Sequence, residues 1–338
     1  ASGTVERGVE RRPGVDTHFR IASNTKTMTA AVILQLAQEG KIGIDDSVSR
    51  YVPGVPNGDN IRIAELLKMR SGLYNYTNSM VLAKSLDDDP AKAWTPEELL
   101  AIAFAQPSNA APGVEFEYNN TNYALLGLII ERAGGQPLAT AFEERLFTPL
   151  GMTNTELPAR DSNRIPEPFT HGYLYGSSSV ALYGTPEYTS EQIAQAEAGT
   201  LPPEDYTDVN HSFAYAAGGV VSTAKDLATW IDALVGGRVL NADYQKMWLD
   251  SPLPENPDRP AGLWYGYGIN RQSWGPNTIL LHGGETAGYN SSMVRDPAND
   301  MTIVVWTNLT VDLQMRPTAN NLMLKVLDQI YVQSPLGP

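Results

Sequence analysis

The sequence predicts an α+β protein, and three observations carry that reading. Residues 60–150 space their apolar side chains mainly as helices do, and the last third alternates or runs apolar with β-branched and aromatic residues. These two kinds of segment are segregated along the chain rather than interleaved as βαβ units would be.

Residues 1–8 and 19–21 read as short strands. A helix follows over residues 25–39, which contain no Gly or Pro, and Gly40 supplies its stop. The middle of that helix is apolar almost all round, which predicts burial rather than an amphipathic surface position. Helices are expected next over 63–69, 96–105 and 123–133, the last closed by Gly134 and Gly135. Residues 173–208, rich in Gly, Ser, Pro, Tyr and Glu, read as a long irregular excursion of the kind that borders active sites. Helix returns over 224–235, with Ser222 or Thr223 as its cap. Strands are expected over 263–270, 278–282, 289–295 and 301–308, with a turn at residues 297–300, and a helix over 318–331 ends the pattern.

The chain has 338 residues, enough for one large domain or two smaller ones, and 42% of them are hydrophobic, enough for a substantial core. Its 24 Lys and Arg face 38 Asp and Glu, a net charge of −14, which argues against nucleic acid or an anionic membrane as partner. Zero cysteines exclude disulfides, thiolate catalysis and Cys-ligated zinc. No apolar run approaches the roughly 20 residues of a transmembrane helix. His18, His171, His211 and His282 show no metal-ligand spacing, so neither metal nor cofactor is expected.

The chemistry begins at Ser23 and Lys26, three residues apart at the start of the buried helix. Residues at that spacing share a helix face, so the amine can reach the hydroxyl. A lysine whose charged form is disfavoured by burial can take the serine proton, and the helix dipole favours negative charge developing at Ser23. Taken alone, Ser-x-x-Lys is also an ordinary helix start, a capping serine followed by an exposed lysine. Two further motifs weigh against that plain alternative. Tyr118-Asn119-Asn120 follows a Pro112-Gly113 turn and directly precedes a helix, and His282-Gly283-Gly284 ends a strand.

In the order Ser-x-x-Lys, Tyr-x-Asn, His-x-Gly, the chain resembles the penicillin-recognising serine hydrolases, the superfamily of DD-peptidases and serine β-lactamases. It is most similar to the branch of the soluble Streptomyces DD-carboxypeptidase and the class C β-lactamases. The segments 19–41, 69–74, 111–123 and 218–223 share in the likeness, which spans nearly the whole chain. The resemblance implies an antiparallel sheet flanked by helices, formed by residues 1–44 and 216–338, with a mostly helical domain inserted over 45–215 and the active site between them. It implies that Ser23 forms an acyl-enzyme, and that Lys26 and Tyr118 form the proton-transfer pair, with the base left open between them. It further implies that Asn120 holds Lys26 and the substrate amide, and that His282 polarises the Tyr118 side of the network. The backbone N–H groups of Ser23 and Glu285 would form the oxyanion hole. An exported protein, secreted or in the cell envelope, is also implied.

The chain departs from that pattern at the substrate end. Carboxypeptidases of this branch commonly carry His-Thr-Gly-Thr, whose hydroxyls help hold a terminal carboxylate, whereas here the run is His282-Gly283-Gly284-Glu285. Gly283, Gly284 and Glu285 are expected to bind substrate. Arg271 does not fall in frame with the family arginine and Trp274 lies nearer, so Trp274 joins the expected substrate contacts. Glu285 would repel a carboxylate and favour an ammonium, unless its side chain points to solvent. The expected activity is hydrolysis of small peptide, amide or ester substrates in DD-peptidase fashion. A D-amino-acid aminopeptidase or amidase, or a carboxylesterase, is the alternative. A slow-turnover penicillin-binding sensor or scaffold is a third, against which Lys26 and Tyr118 argue. Relatives usually carry a helix and a strand ahead of the residues matching 1–8; the expectation is that this sequence lacks them, with the first strand at a sheet edge without its neighbour, or that another segment covers the gap.

Overall fold

The computed structural model describes residues 1–183, 188–259 and 262–333. It has the α+β architecture expected. Ten strands are described: β1 (Phe19–Arg20), β2 (Tyr173–Leu174), β3 (Glu204–Asp205), β4 (Val221–Ser222), β5 (Leu253–Pro254), β6 (Trp264–Tyr265), β7 (Asn270–Trp274), β8 (Asn277–Thr286), β9 (Tyr289–Asp296) and β10 (Met301–Thr307). The six from β5 to β10 form one antiparallel sheet in the order β10-β9-β8-β7-β6-β5, a meander in which each strand lies beside its neighbours in sequence.

The pleat of that sheet separates two environments. Ile279 and Val294 pack with Met323 and Leu327 of helix Thr318–Asp328, while Leu280 and Met293 face the main core. That core is built around helix Thr25–Gln38, in which every residue except Gln35 and Gln38 is buried, as its all-round apolar pattern predicts. Helix Asn120–Gly134 and the one-turn helix Tyr215–Gly218 pack against it. Helix Ala224–Val235 has the bounds expected from sequence, with Thr223 as the cap that accepts from Asp226 N–H.

Three expectations need correction. Residues 1–8 form no strand of the sheet; an isolated bridge joins Glu6 to Val9, and the segment docks instead through the Val5 carbonyl, which accepts from His171 N–H. The large sheet is therefore built from residues 253–307 alone rather than from both ends, because β1 pairs with β4 in a separate two-stranded ribbon. That ribbon brings residues 217–220 beside Ser23. Residues 173–208 are not irregular throughout: they hold β2, β3 and helices Ser178–Tyr183 and Ser190–Glu197. Their caps explain it, since Asp87 accepts from Ser178 N–H and Thr189 with Gln192 makes a capping box.

Candidate active site

Ser23 lies in a single 3-10 turn, Ala22–Asn24, that leads directly into helix Thr25–Gln38. Ala22 has φ of 47°, a conformation that costs a side-chain-bearing residue free energy and persists only when its surroundings impose it. Asn24 and Ser291 do so. Asn24 Nδ2 donates to the Ile21 carbonyl at 3.1 Å and to Ser291 Oγ at 2.8 Å, and Ser291 Oγ donates to the same carbonyl at 3.0 Å. The nucleophile's turn is thus fastened to β9.

Lys26 Nζ is 2.9 Å from Ser23 Oγ and 2.7 Å from the Ala217 carbonyl oxygen, and the side chain is fully buried. Burial drives its pKa well below the usual lysine value, which favours the neutral amine, the form able to accept a proton. Tyr118 sits over it, with Nζ 4.9 Å from the ring centroid. As a residue Tyr118 is 38% exposed, and its phenol is close enough to Ser23 for a side-chain interaction. Burial raises the phenol's pKa, outweighing the hydrogen bond from Ser23 that lowers it. The loop carrying Tyr118 is nailed down on both sides: Asn119 caps helix Asn120–Gly134 and donates to the Leu73 carbonyl, while Asn120 N–H donates to Asn75 Oδ1 at 3.1 Å.

The strand end opposite is shaped by hairpin geometry. The two-residue loop from β8 to β9 closes on Thr286 and Tyr289, so Thr286, Gly284 and His282 direct their backbone groups to β9. Glu285 and Gly283 direct theirs to the other edge. There β7 pairs only as far as Leu281, which leaves the Glu285 N–H facing the cleft beside Ser23. Gly284 permits the approach, since a Cβ there would lie 2.1 Å from the Ile21 carbonyl oxygen and 2.9 Å from Asn24 Nδ2. Gly284→Ala is accordingly expected to destabilise the fold by about 1–3 kcal/mol, read as a lower urea midpoint at unchanged slope. An unchanged midpoint would show that turn and strand separate freely.

Not every expected residue takes its expected part. Asn120 lines the cleft with Ser23, but its Nδ2 donates to Thr77 Oγ1 at 3.1 Å, and it is the Ala217 carbonyl that holds Lys26. His282 packs against Tyr118 as a tilted ring pair, centroids 6.4 Å apart, rather than through a hydrogen bond. Its Nδ1 donates to the Gly283 carbonyl at 2.6 Å, so Nε2 accepts from the Tyr265 hydroxyl at 3.2 Å, and burial lowers its pKa to about 3. It is a neutral brace for Tyr265, whose ring meets Tyr118 edge-on at 6.0 Å. Gly283 turns toward Asn320 of helix Thr318–Asp328, away from the cleft. Trp274 is likewise misplaced by the frame argument. It shares the face of Ile279 and Leu281 and packs on Tyr331, on the opposite side of the sheet from Ser23. Arg271 stacks its guanidinium on Trp264 at 4.1 Å.

Glu285 is one of the residues lining the cleft beside Ser23. Burial raises its carboxyl pKa to about 7, and its hydrogen-bond contact is a long one, 3.5 Å from Asn290 Nδ2. No cation among the described residues lies within ion-pair distance of it. Tyr76, Leu182 and Phe213 complete an apolar wall. Sequence reasoning missed Tyr265 and Ala217: a tyrosine in a two-residue strand and a carbonyl oxygen carry no motif.

The comparisons with known proteins agree with this geometry. The sequence matches the Beta-lactamase family over residues 2–328. It is 27% identical over 314 residues to a Bacillus subtilis (strain 168) protein that bears the name of a penicillin-binding protein, PbpX, covering 93% of this chain and 67% of that one. Among solved structures it resembles a D-stereospecific amidohydrolase from Streptomyces sp., with a TM-score of 0.80, 28% identity, and 95% and 88% of the two chains covered. It resembles equally the D-amino acid amidase from Ochrobactrum anthropi SV3 in complex with L-phenylalanine amide, with a TM-score of 0.80, 27% identity, and 99% and 89% covered. A match across nearly the whole chain, on a fold that sets a serine against a buried lysine, makes this protein a serine hydrolase of the Beta-lactamase family, within the β-lactamase/DD-peptidase superfamily.

Proposed function

We propose that the protein hydrolyses small amides and short peptides of D-amino acids that carry a free amine, as an amidase or aminopeptidase rather than a carboxypeptidase. Ser23 Oγ attacks the carbonyl carbon while Lys26, neutral and 2.9 Å away, takes its proton. The carbonyl oxygen becomes an oxyanion held by the N–H groups of Ser23 and Glu285, each worth about 3 kcal/mol in the transition state. Tyr118 stays a protonated phenol at neutral pH and hands a proton to the departing nitrogen, with Lys26 reprotonating it. Water then reverses these steps on the ester to Ser23 and releases the acid.

The observation that carries the substrate class is Glu285, a half-buried acid lining the cleft with no cationic partner among the described residues. An ammonium group on the substrate would satisfy it; a terminal carboxylate would be repelled. Similarity to a D-stereospecific amidohydrolase and a D-amino acid amidase supports the same choice. A like-charge contact near a surface costs about 1–4 kcal/mol, or roughly 5- to 1000-fold in selectivity. D-alanine or D-phenylalanine amide should therefore be turned over in preference to N-acylated D-Ala-D-Ala peptides. Glu285→Thr should shift that preference toward the carboxylate peptide.

The pH dependence has a defined sign. With a pKa raised to about 7, Glu285 is neutral below that pH and charged above it, so preference for the ammonium substrate over a neutral ester should rise through pH 7. It should fall again as the substrate's α-amine deprotonates near about 8. A wild-type enzyme that prefers the carboxylate peptide, with Glu285→Thr leaving that preference unchanged, would replace this reading with a plain DD-carboxypeptidase.

A further inference from the structure

A cavity of about 200 Å³ lies behind the active site, larger than the roughly 40 Å³ cleft at Ser23, and none of the proposed catalytic side chains lines it. The two spaces share one wall, residues 211–219. Phe213, Ala214, Ala217 and Gly218 line the Ser23 side, whereas Ser212, Tyr215 and Gly219 line the rear. That wall carries the Ala217 carbonyl on which Lys26 depends, and at its start His211 Nε2 lies 2.9 Å from Thr286 Oγ1, next to Glu285. Tyr215, in the middle, has φ of 37° and ψ of −129°, a conformation that side-chain-bearing residues rarely adopt. A wall held under strain is suited to more than one arrangement.

The lining indicates what the cavity takes. Leu138, Ala139, Leu157 and Pro158 make most of it apolar. Arg20 forms the floor, 1% exposed, and Arg160 stands exposed at the mouth. Arg20 Nη2 donates to the Asn163 carbonyl at 2.8 Å and, at longer range, to those of Thr207 and Val209, but its Nε has no hydrogen-bond partner. Among the described residues no carboxylate lies within ion-pair distance of either arginine. Glu131, the acid in the lining, accepts from Leu138 N–H at 3.0 Å, and His211 is kept neutral by burial. Arg20 feels the Asp208 carboxylate only from beyond ion-pair distance, and buried cations are ordinarily paired directly, so an apolar cavity floored by this arginine complements an anion on an apolar stem.

We propose that this rear cavity is a second ligand site, for a small carboxylate carried on an apolar body, and that its occupancy reaches the Ser23–Lys26 pair through residues 211–219. The proposal is independent of which substrate the active site prefers. The probe is 3-phenylpropionate, with 3-phenylpropan-1-ol as its uncharged counterpart, titrated calorimetrically into the whole protein. The acid should bind about tenfold or more tightly than the alcohol, as a charge-assisted contact requires. Ala159→Trp and Ala139→Phe, each filling the cavity from a position that is not buried, should abolish binding while circular dichroism and the unfolding midpoint show an intact fold. Arg160→Gln should weaken it roughly twofold to fivefold. At saturation, kcat/KM for p-nitrophenyl acetate should change by about fivefold or more, in wild type but not in the filled variants. The site is overturned by no binding at millimolar probe, by equal affinity for acid and alcohol, or by binding that survives both filled variants. Binding without any change in rate overturns the coupling.

Discussion

Ser23→Ala is expected to lower turnover of amide and ester substrates by about 10⁴-fold or more and to abolish covalent labelling by serine-directed acylating probes. The size follows from the mechanism: without Oγ there is no acyl-enzyme, and what remains is attack by water in a cleft that still offers oxyanion donors. Lys26 loses one of its two hydrogen-bond partners in the variant and keeps the Ala217 carbonyl, so the fold should be retained. Intact-protein mass spectrometry before and after labelling is the direct check. An adduct on the Ser23→Ala protein, or a wild-type adduct mapped to another residue, would remove Ser23 from the mechanism.

Lys26→Met should lower kcat/KM by about 10²- to 10⁴-fold, the range for a lost general base, while keeping nearly the volume of the original side chain. Lys26→Arg should do no better, because a guanidinium stays protonated and cannot accept the serine proton. A stability measurement separates this role from a structural one. The native pKa of Lys26 lies well below its unfolded value of 10.5. Between those two values the unfolded chain binds a proton that the native one does not, so wild-type stability gains from rising pH throughout that window and levels off above 10.5. Urea midpoints from pH 7 to 10 should therefore rise more steeply in wild type than in Lys26→Met. Retention of activity within about tenfold in Lys26→Met would transfer the role of base to Tyr118.

Much of the site was legible because its parts are local. Ser23 and Lys26 are one helical step apart, Tyr118 sits just before a helix cap, and His282 ends a strand, so short-range spacing was enough to mark them. Charge states were less legible. A histidine and a lysine titrate according to burial, and only packing shows that Lys26 is fully enclosed and that His282 is a neutral brace on Tyr265 rather than a cation beside Tyr118. Trp274 failed for a different reason. Counting along the chain from Gly266 to Gly268 places it near the site, but the pleat puts side chains of β7 on alternate faces, and its face is the one under helix Thr318–Asp328.

The amino-acid sequence by itself determined the fold class, the buried helix behind Ser23 and the serine–lysine pair, because hydrophobic period, caps and near-neighbour spacing act within a few residues. Tertiary structure alone decided what holds that pair and what it faces. The Ala217 carbonyl is 191 residues from Lys26, Ser291 is 267 from Asn24, and the open edge of β8 beyond Leu281 exists only because β7 ends there. Backbone carbonyls and strand edges carry no residue-type signal, and contacts across such separations form only when the whole core closes around them.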